Sequence, residues 1–308
     1  STQGWLPISD DAVVFDHTQP PTQKAIFAYG NTSPSATTNV SISNLVSSSG
    51  VIATDTTGVG SARSSLAACG YGGDKAIFGY GYAGANSSLT NLVSNSGVVA
   101  SDTTGVGTAR QVLAAAGYGL DKGIFGFGSS GPYTSITNLV SSSGVVASDT
   151  TGVGTARAYI AATGYGTDKA IFGFGYPTTA VTYLVNNVGV VGSDVTGVGT
   201  ARYFNAAAGY GTDKAIFGFG QSSYFSLTNL VSSSGVVASD TSGVGTARKA
   251  LAAASYGGDK AIFAYGGNGS GVLSMSNLVN SSGVVASDVT GVGTARQMLA
   301  AAGYSYSA

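Results

Sequence analysis

The sequence has 308 residues, enough for a large buried core, but only 9% of them are charged and the formal net charge is −1. An average globular chain is about a quarter charged, and nucleic-acid-binding surfaces are strongly basic. The composition therefore argues against binding to nucleic acid or capture of anionic lipid through a basic patch. No run of 18 apolar residues occurs, so no membrane-spanning helix is predicted.

Residues 1–23 differ in composition and pattern from everything that follows. They contain the only tryptophan, Trp5, and the only histidine, His17. The run of residues 19–22 reads as a stiff linker because it holds two consecutive prolines. Two interpretations stay open for residues 1–23. They form an N-terminal arm on the surface of the following domain, or they attach the protein to a larger assembly.

From residue 24 onwards the sequence repeats with a period of 45–51 residues. Each copy contains a lysine followed by a short apolar run that ends in glycines, as in residues 122–128. The six lysines are Lys24, Lys75, Lys122, Lys169, Lys214 and Lys260. A period in this range is typical of solenoids, propellers and other repeat arrays.

Each repeat is predicted to contain four short strands separated by turns. In one copy these are residues 113–118, 122–128, 136–140 and 145–149. Strands of about five residues with turn residues every 8–12 positions indicate all-β structure. The single cysteine, Cys69, excludes an intramolecular disulfide framework. It stands where the next repeat has Ala116, and we interpret it as a small buried side chain.

The second strand of each repeat carries no polar face. In residues 214–220, Ala215, Phe217 and Phe219 are predicted to share one face because side chains alternate along a strand. The other face holds Ile216 and glycines. We therefore expect burial on both sides, with the aromatic face of one repeat packed on the glycine face of its neighbour. The first strand holds mostly alanine and glycine, which suits the narrow centre of a propeller.

These patterns predict an all-β fold, a six-bladed β-propeller with four antiparallel strands per blade, covering residues 24–308. The repeated part of the chain begins with a second strand at Lys24 and ends with a first strand at residues 299–304. One blade must therefore combine both ends of the chain. We expect the C-terminal strand to pair with the N-terminal blade, which closes the ring and removes exposed strand edges.

The order of the sequence features within one repeat resembles the order in the kelch repeat. The features are a basic residue, a small-residue strand, a glycine turn, an apolar strand ending in glycine and the next basic residue. Here they are Arg110, Ala114-Ala115-Ala116, Gly119, Ile124-Phe125-Gly126-Phe127-Gly128 and Arg157. The resemblance covers residues 24–308 and implies a β-propeller. The sequence departs from the kelch pattern in having Gly-Phe-Gly or Gly-Tyr-Gly for the double glycine and in lacking the later tryptophan. In composition the repeats are similar to repeat proteins of phage virions and other extracellular fibres.

Nearly every charge occurs once per repeat. The arginines are Arg63, Arg110, Arg157, Arg202, Arg248 and Arg296, and the matching aspartates are Asp55, Asp102, Asp149, Asp194, Asp240 and Asp288. We expect each arginine to pair bidentately with a repeat aspartate as part of the framework. The alternative is a ring of equivalent charges that lines a channel and holds an ion. Glutamate is absent and the only histidine lies outside the repeats. We therefore predict no catalytic site, no metal and no cofactor.

The loop after the second strand varies between repeats, and so does the residue pair that follows each arginine. Candidate binding residues in these loops are Tyr82, Asn86, Tyr133, Tyr176, Tyr224, Phe225 and Asn268. Tyrosine, serine, glycine and asparagine are common in adaptable binding surfaces. Two interpretations stay open, neutral variation in tolerant loops and a recognition face.

The functional hypothesis is a non-catalytic structural or decorating module of a virion, fibre or cell surface. It would contact protein partners in a larger assembly, with residues 1–23 as a candidate attachment segment, and it would be extracellular or part of a virion. The alternative is a propeller that binds a cell-surface glycan or receptor through its variable aromatic loops.

Overall fold

A computed structural model describes residues 20–35 and 38–308, and every regular element within these ranges is a β-strand. The proposed arm, residues 1–23, therefore lies mostly outside the described residues. Its last residues lie against the turns of two sheets. The amide of Gln23 donates a hydrogen bond to the carbonyl of Ser305 at 2.8 Å, and the Gln23 carbonyl accepts one from Gly257 at 2.9 Å.

The strands form six three-stranded antiparallel sheets and one two-stranded ribbon. In chain order they are β1 (Lys24–Ala28), β2 (Ser43–Val46), β3 (Ala67–Tyr71), β4 (Lys75–Gly79), β5 (Thr90–Val93), β6 (Ala114–Tyr118), β7 (Lys122–Gly126), β8 (Thr137–Val140), β9 (Ala161–Tyr165), β10 (Lys169–Gly173), β11 (Thr182–Val185), β12 (Ala206–Tyr210), β13 (Lys214–Gln221), β14 (Tyr224–Val231), β15 (Ala252–Tyr256), β16 (Lys260–Ala264), β17 (Gly267–Asn268), β18 (Gly271–Val272), β19 (Ser276–Val279) and β20 (Ala300–Tyr304). Sheet 1 is β2-β1-β20, and sheets 2 to 6 are β3-β4-β5, β6-β7-β8, β9-β10-β11, β12-β13-β14 and β15-β16-β19. The β17-β18 ribbon lies in the loop between β16 and β19.

Sheet 1 joins the two ends of the repeated part of the chain. Strand β20 pairs antiparallel with β1 along its whole length, from Lys24 opposite Tyr304 to Ala28 opposite Ala300. The predicted pairing of the last strand with the strand at Lys24 is therefore confirmed. In this sheet β20 takes the place that β3, β6, β9, β12 and β15 take in the others.

The prediction of four strands per repeat is wrong, because the fourth segment does not form a strand. In sheet 3 it makes only two isolated bridges with β8, Val146 with Val140 and Thr150 with Thr137. Val146 is buried, whereas its neighbour Val145 is 66% exposed. With so little apolar surface to bury, the segment follows the sheet edge without becoming a regular ladder.

Neighbouring sheets pack an aromatic side chain onto a glycine, as predicted. A Cβ built on Gly173 would lie 3.0 Å from the Cζ of Phe217 in the next sheet. Such a contact is too close for a side chain without a shift of the ring. The same contact occurs for Gly79 with Phe125, Gly126 with Phe172 and Gly218 with Phe263. The glycine thus sets the spacing at these four interfaces, whereas sheets 1 and 6 have Ala28 and Ala264 at the same position.

The prediction that Phe217 and Phe219 share a face is wrong. Phe217 packs with Phe174 of the preceding sheet, whereas Phe219 packs with Phe263 of the following sheet, each with ring centres 5.2 Å apart. Phe219 has a backbone φ of 63°, in the left-handed region, so the alternation of side chains stops there. All six sheets have an aromatic residue with positive φ here: Tyr29, Tyr80, Phe127, Phe174, Phe219 and Tyr265. Each sheet therefore presents one ring to each neighbour.

The strands that begin the repeats lie side by side. Strand β3 contacts β6, and the contacts continue through β9, β12, β15 and β20, which in turn contacts β3. A cavity of about 170 Å³ lies among these strands and is lined by small uncharged residues such as Ala116, Thr163 and Gly164. The small side chains predicted for these strands therefore lie where the six strands come together.

Backbone hydrogen bonds link the sheets at both ends of these strands. We call the end at which β3, β6, β9, β12, β15 and β20 begin the loop end. The opposite end, at which these strands finish, is the turn end. At the loop end, six amides and carbonyls form one closed cycle with N···O distances of 2.8–3.1 Å. Its members are Ser65, Val112, Tyr159, Phe204, Ala250 and Met298. At the turn end, the glycine of one turn donates to the aspartate carbonyl of the next, as Gly119 does to Asp168 at 2.7 Å.

Candidate functional site

The repeat arginines are buried between sheets. Arg202 donates a hydrogen bond from Nε to the carbonyl of Phe219 at 2.8 Å, from Nη1 to the carbonyl of Thr200 at 3.1 Å, and from Nη2 to Oδ1 of Asn229 at 2.6 Å. Its guanidinium also lies 4.2 Å from the ring centre of Phe174 in the preceding sheet. Burial lowers the pKa of Arg202 to about 10, so the side chain is still protonated at neutral pH.

Five of the six repeat arginines lie within ion-pair distance of a repeat aspartate, but the prediction of bidentate hydrogen bonds between them is wrong. Nη1 of Arg202 lies 3.9 Å from Oδ1 of Asp240, an ion-pair distance without a hydrogen bond. The Asp240 carboxylate instead accepts hydrogen bonds from the amide and hydroxyl of Thr200, at 3.0 and 2.6 Å, and from Nδ2 of Asn229 at 2.9 Å. The guanidinium is occupied by two backbone carbonyls and by Oδ1 of Asn229, while the carboxylate is occupied by Thr200 of the incoming loop and by Nδ2 of Asn229.

These contacts control the charge of the aspartates. Burial alone would raise the pKa of Asp240, but hydrogen bonds from Thr200 and Asn229, together with the charge of Arg202, outweigh it and hold the pKa below its ordinary value. The same causes lower the pKa of the equivalent carboxyls Asp55, Asp102, Asp149 and Asp288. The aspartates thus stay ionised and fix the loops between sheets.

Sheets 3 and 4 depart from this scheme. In sheet 4, Tyr183 replaces the asparagine, and Nε of Arg157 donates to its hydroxyl oxygen at 2.6 Å. In sheet 3, Nη2 of Arg110 and Oδ1 of Asn138 are both buried and have no hydrogen-bond partner within the described part of the chain. The repeat charges therefore belong to the framework. The alternative of a charged ring lining a channel is wrong, because the central cavity is lined by uncharged residues.

Both variable positions of each repeat meet at the loop end. An isolated bridge joins the residue after the arginine to the residue that begins the variable loop, as between Ala158 and Tyr176. Equivalent bridges join Ser64 to Tyr82, Gln111 to Ser129, Tyr203 to Gln221, Lys249 to Gly267 and Gln297 to Asn31. The two segments that vary in sequence therefore form one surface.

Five aromatic rings on sheets 3 to 5 form a continuous group, which we call the aromatic cluster: Tyr133, Tyr159, Tyr176, Tyr203 and Phe204. The ring centres of Tyr133 and Tyr176 are 5.9 Å apart, and those of Tyr176 and Tyr203 are 5.4 Å apart. Tyr159 lies 4.3 Å from Phe204. Tyr133 and Tyr176 are 39% and 40% exposed, so their rings are accessible from solvent.

Lys249 extends the aromatic cluster towards sheet 6. Its Nζ lies 5.5 Å from the ring centre of Phe204 and 5.6 Å from that of Tyr224, both within cation–π range. Partial burial lowers the pKa of Lys249. Apart from the repeat lysines and arginines, Lys249 is the only cationic side chain of the sequence. It therefore gives this part of the surface a charge that the other repeats lack.

The structure brings three of the predicted candidates, Tyr133, Tyr176 and Tyr224, to this surface. Tyr82 and Asn86 instead pair with each other in the loop of sheet 2. Oδ1 of Asn268 accepts a hydrogen bond from the amide of Ser270 at 2.9 Å and so shapes the β17-β18 ribbon.

Phe225 is half-buried opposite Gly220 in the hairpin of β13 and β14.

The variable pair of residues that follows each arginine supplies Tyr159, Tyr203, Phe204 and Lys249. These were not among the predicted binding residues, although the variability of the pair was the available signal. Asn205 was not predicted either. It occupies a position held by leucine or isoleucine in the other repeats: Leu66, Leu113, Ile160, Leu251 and Leu299.

A small pocket opens at the centre of the loop end, next to the aromatic cluster. We call it the axial pocket. Its volume is about 70 Å³, and it is lined by the six residues of the backbone hydrogen-bond cycle and by the residue that follows each of them. All six residues of the cycle have positive φ, between 51° and 57°. Such backbone conformations are strained for residues like Val112 and are found mainly where surrounding contacts enforce them.

No group of three or more metal-ligating side chains occurs within residues 20–35 and 38–308. The same part of the chain contains no helix of the length and hydrophobicity needed to cross a membrane. Comparison with models of known protein families gave no match, and comparison with curated proteins gave no significant match. The functional proposal therefore rests on the geometry of the loop end.

Proposed function

We propose that the six sheets are the blades of a six-bladed, kelch-like β-propeller, and that it serves as a non-catalytic attachment module of an extracellular or virion assembly. The closed cycle of six backbone hydrogen bonds at the loop end supports the propeller. So does the pairing of β20 with β1, which leaves the first sheet built like the others. In this architecture each blade's fourth strand is reduced to isolated bridges.

The use of the charges supports a role without catalysis. Catalytic sites need a local, asymmetric group of titratable side chains. The repeat arginines and aspartates are instead distributed once per sheet and hold loops to sheets through contacts such as Thr200 with Asp240. Lys249 is the one charged side chain that interrupts this regular pattern on the aromatic surface.

The observation that carries the proposal is the position of the aromatic cluster. In a chain of near-identical repeats, the exposed rings concentrate on sheets 3 to 5 at one end. Tyrosine supplies a large contact area at a low cost in conformational entropy and is enriched at recognition surfaces. A rigid repeated frame with one asymmetric aromatic surface suits attachment to a partner.

We propose different roles for the two parts of the molecule. Residues 1–23 would anchor the protein to protein partners in its own assembly, and the aromatic cluster would contact the target. Removal of residues 1–19 should abolish incorporation into the purified parent assembly while leaving the thermal unfolding midpoint unchanged. Incorporation at the normal level would overturn the anchoring role.

The aromatic cluster also favours a second candidate function, binding of a cell-surface glycan. Two of its rings, Tyr159 and Phe204, line an uncharged pocket, and tyrosine rings can stack on the apolar faces of sugars. A glycan array probed with the full chain should show binding that Tyr176→Ala and Tyr203→Ala abolish. Tyr82→Ala, on the same end but outside the aromatic cluster, is the matched control and should bind normally. An array without reproducible binding would overturn this candidate.

A further inference from the structure

Lys249 is a cation that the repeated framework does not use. Five repeat lysines form an ion pair with the aspartate before them, at N···O distances of 2.7–3.3 Å. Among the described residues, no carboxylate lies within 4.0 Å of Nζ of Lys249. Lys24 also lacks such a pair, but it lies at the turn end, opposite Tyr304. The residues that correspond to Lys249 in the other repeats are uncharged: Ser64, Gln111, Ala158, Tyr203 and Gln297.

The surroundings of Lys249 stabilise its charge only weakly. Its side chain is half-buried, and burial lowers its pKa. The nearest groups are the rings of Phe204 and Tyr224, at 5.5 and 5.6 Å from Nζ. Cation–π contacts of this kind stabilise a cation less than a direct hydrogen bond to an anion does. A negatively charged group at Nζ would therefore favour the protonated lysine.

Lys249 and the exposed rings are close enough to contact one ligand. The ring of Phe204, which Lys249 approaches, lies 5.5 Å from that of Tyr203. Tyr203 in turn lies 5.4 Å from the accessible ring of Tyr176. On the other side, Tyr224 is 38% exposed and adjoins the lysine directly. A small ligand that stacks on these rings would therefore bring one of its ends within reach of Nζ.

We propose that the aromatic cluster binds an acidic glycan, whose carboxylate or sulfate group accepts hydrogen bonds from Nζ of Lys249. The ammonium group has three donors and no acceptor, so it pairs with either anion. The repeat lysines outside Lys24 are already paired, and the repeat arginines are buried between sheets. A single available cation suits a sugar with one anionic group rather than a polyanion. The proposal rests on the glycan-binding candidate and adds to it the charge of the ligand.

A glycan array that carries neutral glycans beside their sialylated, glucuronylated and sulfated forms tests the proposal on the full chain. The acidic forms should bind on the order of tenfold more tightly than their neutral parents. The class that binds most tightly distinguishes a carboxylate from a sulfate. Titration calorimetry of the strongest acidic binder should show weaker binding at about 1 M salt than at about 0.1 M, because salt screens the charge pair.

Three variants isolate the charge of Lys249. Lys249→Gln introduces the residue that Gln111 and Gln297 supply at this position, so the fold should tolerate it. It should reduce the binding of acidic glycans to the level of their neutral parents and remove most of the salt dependence. Lys249→Arg keeps the charge and should retain most of the binding. Lys122→Gln removes an exposed lysine at the turn end, so it is the matched control and should bind normally.

The outcomes separate this proposal from the glycan-binding candidate. Equal binding of acidic and neutral glycans would overturn the role of Lys249, and so would acidic-glycan binding that Lys249→Gln leaves unchanged. If Tyr176→Ala abolished that same binding, the glycan-binding candidate would stand without the charge. An array without reproducible binding would overturn both. A poly-glutamate peptide that bound more tightly than every acidic glycan would assign Lys249 to a protein partner and overturn the glycan.

Discussion

A Cβ atom built on Gly123 would lie 2.6 Å from the sulfur of Cys69 in the preceding sheet. The two residues are exceptions in their repeats at the same interface. Gly123 stands where the second strand of the other repeats has alanine, as in Ala76 and Ala170. Cys69 is fully buried, and burial raises the pKa of its thiol to about 12, so it is unreactive at neutral pH. The glycine makes room for the larger sulfur side chain.

This relationship predicts a strong coupling between two substitutions. Gly123→Ala alone should lower the free energy of unfolding by about 1–3 kcal/mol, because the interface is overpacked. Cys69→Ala together with Gly123→Ala recreates the usual alanine pair and should recover most of that loss. Urea unfolding of the two single variants and the double variant gives the coupling energy, expected at about 0.5–3 kcal/mol. Additive effects within error would contradict this account of the interface.

The arginine–asparagine hydrogen bond can be isolated by comparing two sheets. Asn229→Ala removes the partner of Nη2 of Arg202, whereas Asn138→Ala removes an asparagine whose Oδ1 has no partner within the described residues. Both asparagines also bond their aspartate through Nδ2, so that loss is common to both variants. Asn229→Ala should therefore cost about 1.5–3 kcal/mol more in the free energy of unfolding than Asn138→Ala. Denaturant unfolding of both variants measures the difference, and equal losses would show that the bond contributes little.

Stability should fall at acid pH because of the repeat aspartates. Each of Asp55, Asp102, Asp149, Asp240 and Asp288 has a folded-state pKa below its ordinary value. The stabilisation is therefore fully present above the unfolded pKa of about 3.9 and is lost as the pH falls through the folded values. Calorimetric unfolding from pH 7 to pH 2 should show a flat midpoint down to about pH 4 and a steep decrease below. Asp240→Asn should reduce the slope of that decrease, and an unchanged slope would argue against this origin.

The proposed ring depends on the pairing of β20 with β1. Removal of residues 299–308 should expose the edge of β1 and widen the molecule, because sheet 1 loses a strand and its neighbours lose a contact. Small-angle scattering and thermal unfolding should show an expanded and less cooperative chain. Removal of residues 306–308 alone is the control and should leave both measurements unchanged. A compact, fully stable chain without residues 299–308 would contradict the closed arrangement.

The sequence was most informative about the features that recur in every repeat. The lysine period, the small-residue strands and the packing of phenylalanine on glycine at four of the interfaces could be predicted, and so could the pairing of the last strand with β1. The reversal of Phe219 was not, because a bulky residue is rarely found at positive φ and no local pattern indicates it. The partners of Arg202 were also hidden. Two of its three donor groups reach backbone carbonyl oxygens, which every residue has, so no residue type identifies these partners in the sequence.

For the candidate site, sequence variability between repeats identified the loops, but it did not show which loops lie next to each other. Tyr133 and Tyr176 were found because their loops differ between repeats. Their grouping with Tyr203 depends on the bridges that join each loop to the residue after the arginine, and such bridges carry no sequence signal. Asn205 could have been found by comparing the repeats position by position, since it is the one polar residue in an apolar column.

The pairing of β20 with β1 also has a consequence for biosynthesis. Residues 24–28 leave the ribosome long before residues 300–304, by on the order of tens of seconds at usual rates of translation. During that time the edge of β1 that β20 will cover is open to wrong partners. The near-identical opening strands of sheets 2 to 6 are candidates for such mispairing. The nascent chain can complete its first sheet only after nearly all of it has been made.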